Sequence, residues 1–184
     1  MEEHERQSAI DHLTASRARL LELVDGLTAE QWTFRPAEGR WSINECLEHI
    51  TRVENRVFGL IGNKLSESPA PPATRTDDSV LTAAILDRSV GRQAPEPARP
   101  IGQWPDSNEL VVEFRKMRQR TLEFAATTRD DLRSYFVVHP AFGEVDCYQR
   151  LLLLGHHGSR HAMQIEEIKA APGFPRAVAS SASA

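Results

Sequence analysis

Hydrophobic residues recur three and four positions apart in four long segments of the chain, with charged residues between them. The segments span residues 3–25, 42–65, 107–127 and 146–171. This spacing is typical of amphipathic helices that bury one face. Two of the segments also begin with a capping box, Ser42 with Glu45 and Asp146 with Gln149. We therefore predict four long helices, named here helix one to helix four.

The chain between these helices predicts little further regular structure. Residues 66–108 hold seven of the eleven prolines, and only residues 77–88 have the pattern of a short helix. Residues 135–138 could be extended, and the pair Thr28 and Gln31 indicates a short helical turn. No convincing set of strands is present. The predicted fold class is therefore all-α, a four-helix bundle.

The long connection between helices two and three constrains the direction of the chain. It has about 40 residues, whereas roughly ten extended residues can cross a bundle about 33 Å long. A crossover that leaves helices two and three parallel is therefore allowed. We predict one bundle domain over residues 1–171 and a disordered tail, rich in Ala and Ser, over residues 172–184.

Composition excludes several function classes. The 184 residues include 22 Lys and Arg against 26 Asp and Glu, a net charge of −4, and no basic stripe suggests a nucleic-acid partner. No segment approaches the roughly 20 apolar residues of a membrane span, and the acidic start does not resemble a signal peptide. Cys46 and Cys147 are more typical of reduced thiols than of a disulfide framework. We therefore expect a cytoplasmic protein without a membrane partner.

Three histidines are the strongest candidates for chemistry. His157 and His161 lie four residues apart on helix four, so their rings project from one face, and both continue the apolar stripe. His49 lies at the edge of the buried face of helix two. Three neutral imidazoles from two helices would hold a metal ion and leave a coordination position open, as in catalytic sites. The alternative is three core histidines that are satisfied by carbonyls or carboxylates.

Two segments of the sequence resemble signature segments of the DinB-like metal-binding bundles. They are Trp41-Ser42-Ile43-Asn44-Glu45 with His49, and His157-Gly158-Ser159-Arg160-His161 with Gln164-Ile165. That superfamily includes YfiT-like and bacillithiol- or mycothiol-dependent enzymes. The resemblance implies up-down-down-up connectivity, a homodimer, and a divalent ion, commonly zinc or nickel, with His49, His157 and His161 as its ligands.

The residues beside the three histidines bear on the type of reaction. A protease of the His-Glu-x-x-His type needs a general-base Glu beside its first ligand, where this chain has Gly158. Glu45, one turn before His49, is a candidate base, and Arg160 could bind a substrate carboxylate at the mouth of the site. A metal-bound thiol, by contrast, loses its proton without any protein base.

We therefore predict a metal-dependent enzyme that transfers a low-molecular-weight thiol to a small electrophile. The alternatives are a metal-binding stress-response bundle without turnover and a metal-assisted hydrolase of a small amide or ester. Gly155 and Gly158 share one face of helix four, where they admit either a neighbouring helix or a substrate.

Overall fold

Six helices and one hairpin make up the regular structure in the computed structural model, which describes residues 1–69, 75–89, 91 and 93–176. The helices are α1 (Glu3–Val24), α2 (Ala29–Thr33), α3 (Ile43–Leu65), α4 (Asp78–Leu86), α5 (Ser107–Thr127) and α6 (Cys147–Ala170). The strands are β1 (Phe136–His139) and β2 (Gly143–Asp146), and two 3-10 turns span Glu96–Ala98 and Leu132–Ser134. In the described part of the chain, no helix is long and apolar enough to cross a membrane.

The four predicted helices correspond to α1, α3, α5 and α6, and their directions follow from the contacts between them. Residue numbers rise together along α1 and α6, and also along α3 and α5, so each of these pairs is parallel. The contacts that show this are His12 beside Gly155, Arg19 with Glu166, Asn44 with Ser107, and Phe58 with Phe124. Along α1 and α5 the order is reversed, since Arg6 contacts Ala125 and Leu13 contacts Arg118, so these two helices are antiparallel. The all-α bundle with up-down-down-up connectivity is therefore confirmed, and α3 and α5 are joined by the long crossover.

A hairpin interrupts the purely helical prediction just before α6. The expected extended segment forms β1, and it pairs antiparallel with β2, from Phe136 opposite Asp146 to His139 opposite Gly143. Gly143 closes the turn with a φ of +70°, a conformation that glycine adopts without steric cost. Strand β2 was not predicted, because its last residue is Asp146, the residue that also caps α6.

The segment that follows α6 contacts α2. The ring of Phe174 packs edge-on against Phe34, with 5.5 Å between centroids, and Gln31 donates a hydrogen bond to the carbonyl of Pro175. Residues 172–176, which are part of the predicted tail, thus lie against the bundle. The remainder of the predicted tail, residues 177–184, lies outside the described residues.

A fully buried arginine joins three of the long helices. Arg118 of α5 donates from Nε to both carboxylate oxygens of Glu54 on α3, at 2.9 and 3.0 Å. Its Nη1 donates to the Leu13 carbonyl and to the Ser16 hydroxyl of α1. Glu54 is also fully buried, so the two charges pair inside the core, with Nη2 of Arg118 at 2.9 Å from Oε2 of Glu54.

Two glycines of α6 allow α1 to approach closely. A Cβ at Gly155 would lie 2.8 Å from Cβ and 2.9 Å from the backbone carbon of His12. A Cβ at Gly158 would lie 3.0 Å from both Cβ and Oγ of Ser16. The sequence left two explanations for these glycines, room for a neighbouring helix or room for a substrate. The contacts show that the missing side chains make room for a neighbouring helix.

We predict that Gly155→Ala destabilises the bundle. The added methyl group meets the His12 backbone, so the helices must separate, and we expect a loss of about 1–3 kcal/mol in the free energy of unfolding. Gly62→Ala on α3 is the control, because nothing lies within 4 Å of its Cβ position. Urea denaturation should show this control unchanged or up to about 1 kcal/mol more stable. Equal effects of both substitutions would contradict the close contact.

Candidate metal centre

The three predicted histidines meet between α3 and α6. His49 extends from α3, and Nε2 of its ring lies 3.1 Å from Nε2 of His157. Nε2 of His161 lies 3.1 Å from the same atom of His157. All three candidate ligand atoms lie within 4.8 Å of one another. The spacing of His157 and His161 along one helix and the position of His49 on another thus produce a single cluster.

Two of the imidazoles are held in the orientation that a metal ligand needs. Nδ1 of His49 lies 2.6 Å from the carbonyl oxygen of Ala98, and Nδ1 of His161 lies 2.9 Å from Oε1 of Gln164. Both partners accept hydrogen bonds, so each Nδ1 carries the proton, and the lone pair of the neutral ring is on Nε2. These lone pairs point into the cluster. Oxygen partners at Nδ1 commonly select this tautomer in histidines that bind a metal ion.

The surroundings keep these rings neutral. Burial, with a smaller contribution from the charge of nearby Arg52, lowers the pKa of His49 to about 4. Burial also holds the pKa values of His157 and His161 well below 6.5, and the other rings of the cluster add to this effect. A metal ion binds only the neutral imidazole, so the donor set fits a divalent ion such as zinc.

Trp41 forms one wall of the site. Its ring centroid lies 4.9 Å from that of His49 and 6.2 Å from that of His161, with 20° between the planes of the latter pair. Trp41 directly precedes the cap of α3, where sequence reasoning assigns such a residue to packing at the helix entry. Its proximity to His161 could not be recognised from that position, because it depends on how α6 lies against α3.

Glu48 is a residue that the sequence analysis missed. It is fully buried, and its carboxylate accepts hydrogen bonds from the backbone amides of Ile101, Gly102 and Gln103 in the crossover. The available signal was a glutamate on the buried face of a helix, next to a candidate ligand. Its partners lie more than fifty residues away in sequence, so no local pattern identifies them.

Glu45, the candidate base, is engaged at the start of α3. One carboxylate oxygen accepts from the backbone amide of Ser42, and the other pairs with Arg35 at 2.7 Å. The carboxylate therefore completes the predicted capping box. Its role as a catalytic base stays a prediction.

Arg160 is buried beside the end of α4. Its Nη1 donates to the carbonyl oxygens of Ile85 and Asp87, at 3.1 and 2.5 Å. These contacts attach the last turn of α4 to α6, since orphan carbonyls at a helix end need donors. Its role as a substrate-binding residue likewise stays a prediction. Cys46 lies in the apolar core, where burial raises the pKa of its thiol.

A separate cleft of about 460 Å³ lies between α1, α4 and α6. Its floor includes His156, whose ring lies 4.1 Å from that of His12, measured between centroids. Burial lowers the pKa of His156 to about 4. The acidic groups at one end, Glu5 and Asp78, are both bonded to Arg133. This face of α6 is thus distinct from the one that carries His157.

The parallel pairing of α1 with α6, together with three histidines clustered between α3 and α6, defines a four-helix bundle with a candidate metal centre. The chain belongs to the DinB superfamily, which it matches over residues 12–165. It is 25% identical over 146 residues to the uncharacterized protein YuaE of Bacillus subtilis (strain 168), covering 79% of this chain and 88% of YuaE.

Among solved structures, the fold is similar to that of YfiT from Bacillus subtilis, a probable metal-dependent hydrolase with an unusual four-helix bundle topology. The TM-score is 0.65 at 15% sequence identity, and the comparison covers 95% of this chain and 91% of YfiT. This likeness supports the fold, including its connectivity.

We predict that the metal-free protein loses stability as the pH falls from about 6.5 toward 4. A histidine with a lowered pKa is neutral when folded but takes up a proton when unfolded, so acid favours the unfolded chain. The stabilising contribution is complete above the unfolded pKa of about 6.5 and decreases toward the folded pKa, about 4 for His49. Urea denaturation of chelator-treated protein at several pH values measures this slope. A free energy of unfolding that is constant from pH 7 to 4.5 would contradict the prediction.

Proposed function

We propose that the protein is a metal-dependent enzyme that binds one divalent ion, zinc or nickel, through His49, His157 and His161. The convergence of three Nε2 atoms, two of them on rings whose Nδ1 is bonded to an oxygen, carries this proposal. Three protein ligands leave a coordination position open, as catalytic sites require.

We further propose that the enzyme transfers a low-molecular-weight thiol to a small electrophile. A bound ion of this kind would make the thiol acidic enough to supply a thiolate at neutral pH. The sulfur then forms a bond to the electrophilic carbon, while the leaving group departs with its electron pair and the thiol proton passes to solvent.

The carboxylates near the ligands support thiol transfer over hydrolysis. Glu45 is bonded to the Ser42 amide and to Arg35, and the Glu48 carboxylate is bonded to three backbone amides. Gly158 occupies the place where a His-Glu-x-x-His hydrolase has its base. A metal-bound thiol is deprotonated outright, whereas a zinc-bound water has a pKa of about 7, so thiol transfer depends least on such a base.

Charge around the cluster also favours an anionic nucleophile. Besides burial, the charge of Arg52 helps to lower the pKa of His49, and the charges of Arg160 and Arg88 help to lower the pKa of His161. Positive charge near the rings would stabilise a bound thiolate.

A second candidate function is metal-assisted hydrolysis of a small amide or ester. The likeness to YfiT, described as a probable metal-dependent hydrolase, favours it. For this reaction the nucleophile would be a metal-bound water, whose pKa a zinc ion lowers to about 7, because Glu45 and Glu48 are both engaged in other hydrogen bonds.

The test is a thiol titration of the cobalt-substituted protein. We expect a sulfur-to-metal charge-transfer absorption when a suitable thiol is added, and conjugation of an electrophile by the same protein. His161→Ala should abolish both. His156→Gln is the matched control on α6 and should retain the absorption band, because His156 faces α1.

Metal-loaded protein that binds none of several thiols and conjugates none of several electrophiles would overturn thiol transfer. Turnover of small esters or amides under the same conditions would then support hydrolysis. Metal binding without either activity would favour a binding protein.

A further inference from the structure

We propose that Glu48 is a positioning residue that holds the crossover segment 97–103 against α3 and thereby fixes the ring of His49. The purpose of this arrangement rests on the proposed metal function. The contacts themselves do not depend on a metal ion, so the positioning role of Glu48 and metal binding can be tested separately.

Glu48 binds the segment through three consecutive amides. Its Oε1 accepts from the backbone amides of Ile101, at 2.8 Å, and Gln103, at 3.1 Å, and its Oε2 accepts from Gly102 at 3.1 Å. A backbone that aims three successive amides at one carboxylate turns sharply, and Gly102 has a φ of +72°. Burying a carboxylate is costly unless such charge-assisted hydrogen bonds offset the loss of water.

Arg52, one turn after Glu48, contacts the same segment at two further points. Its Nη1 donates to the side-chain oxygen of Gln103 at 2.9 Å, and its Nη2 donates to the carbonyl of Pro97 at 3.2 Å. Glu48 and Arg52 thus lie on α3 on either side of His49 in sequence. Pro97 and Gln103 lie before and after Ala98 in the crossover, so the two Arg52 bonds hold the segment on both sides of that residue.

The crossover segment contacts the candidate ligand His49 through Ala98. The residue is buried at the end of the 3-10 turn Glu96–Ala98, and its carbonyl oxygen accepts a hydrogen bond from Nδ1 of His49. If the segment moves away, this acceptor is lost, and His49 can instead carry its proton on Nε2. A ring protonated at Nε2 offers no lone pair to an ion at the cluster.

His161 provides an internal comparison. Its Nδ1 is bonded to Gln164, three residues later on the same helix, so its orientation does not depend on the crossover. Loss of the Glu48 contacts should therefore affect His49 and leave His161 unchanged. A general loss of stability would affect both rings alike.

The experiment records imidazole ¹⁵N chemical shifts by NMR in the metal-free protein and measures zinc affinity separately. In the unsubstituted protein we expect His49 and His161 both to carry their protons on Nδ1. In Glu48→Gln one carboxylate oxygen becomes an amide donor facing backbone amides, so the segment should be released. His49 should then show Nε2 protonation, in whole or in part, while His161 is unchanged, and zinc affinity should fall about 10–100-fold.

Two further variants keep the proposal falsifiable. Gln164→Ala should give the reciprocal result, with the His161 ring altered and His49 unchanged. Arg52→Met should shift His49 in the same direction as Glu48→Gln, and it serves in place of that variant if the latter does not fold.

An unchanged His49 tautomer in folded Glu48→Gln, or in Arg52→Met where that variant replaces it, would overturn the proposal and leave Glu48 as a purely structural residue. Equal perturbation of His49 and His161 would also overturn it. If His49 responds as expected but the unsubstituted protein binds no zinc, the positioning role stands and the proposed metal function fails.

Discussion

The close contact of α1 with α6 is the constraint on which the rest of the structure depends. At Gly155 and Gly158 no side chain separates the helices, so α6 can present only this face to α1. Successive residues of a helix are rotated by about 100°, so His157 and His161 must then point elsewhere, toward α3. The packing of two parallel helices thus orients the two candidate ligands that α6 supplies.

The same contact limits the chemistry available at the site. The position of a Gly158 side chain is occupied by Ser16 and, at 3.5 Å, by Nη2 of Arg118. Arg118 is committed to its buried ion pair with Glu54, so a glutamate at position 158 would displace the polar centre of the core. The general base of a His-Glu-x-x-His hydrolase is therefore incompatible with this packing. Catalysis at the cluster must use another base or a nucleophile that needs none.

How much of the structure could be predicted from the sequence depends on how far apart in the chain the interacting residues lie. Helix boundaries were predicted closely, because capping boxes such as Ser42 with Glu45 are local. The meeting of His49 with His157 followed from two amphipathic patterns and a family resemblance. The hydrogen bond from His49 to Ala98 could not be predicted, because it joins residues 49 positions apart through an irregular segment. Strand β2 was missed because a pair of four-residue strands has little pattern of its own.

The most direct test of the central claim is X-ray absorption spectroscopy of the zinc-loaded protein. The account predicts a first coordination shell with three imidazole nitrogens at about 2.0–2.1 Å and one exogenous ligand. Substitution of His49, on α3, should reduce the number of imidazoles by one, as should substitution of His157, on α6. A protein-derived sulfur at about 2.3 Å, or a shell that is unaffected by loss of His49, would contradict the account.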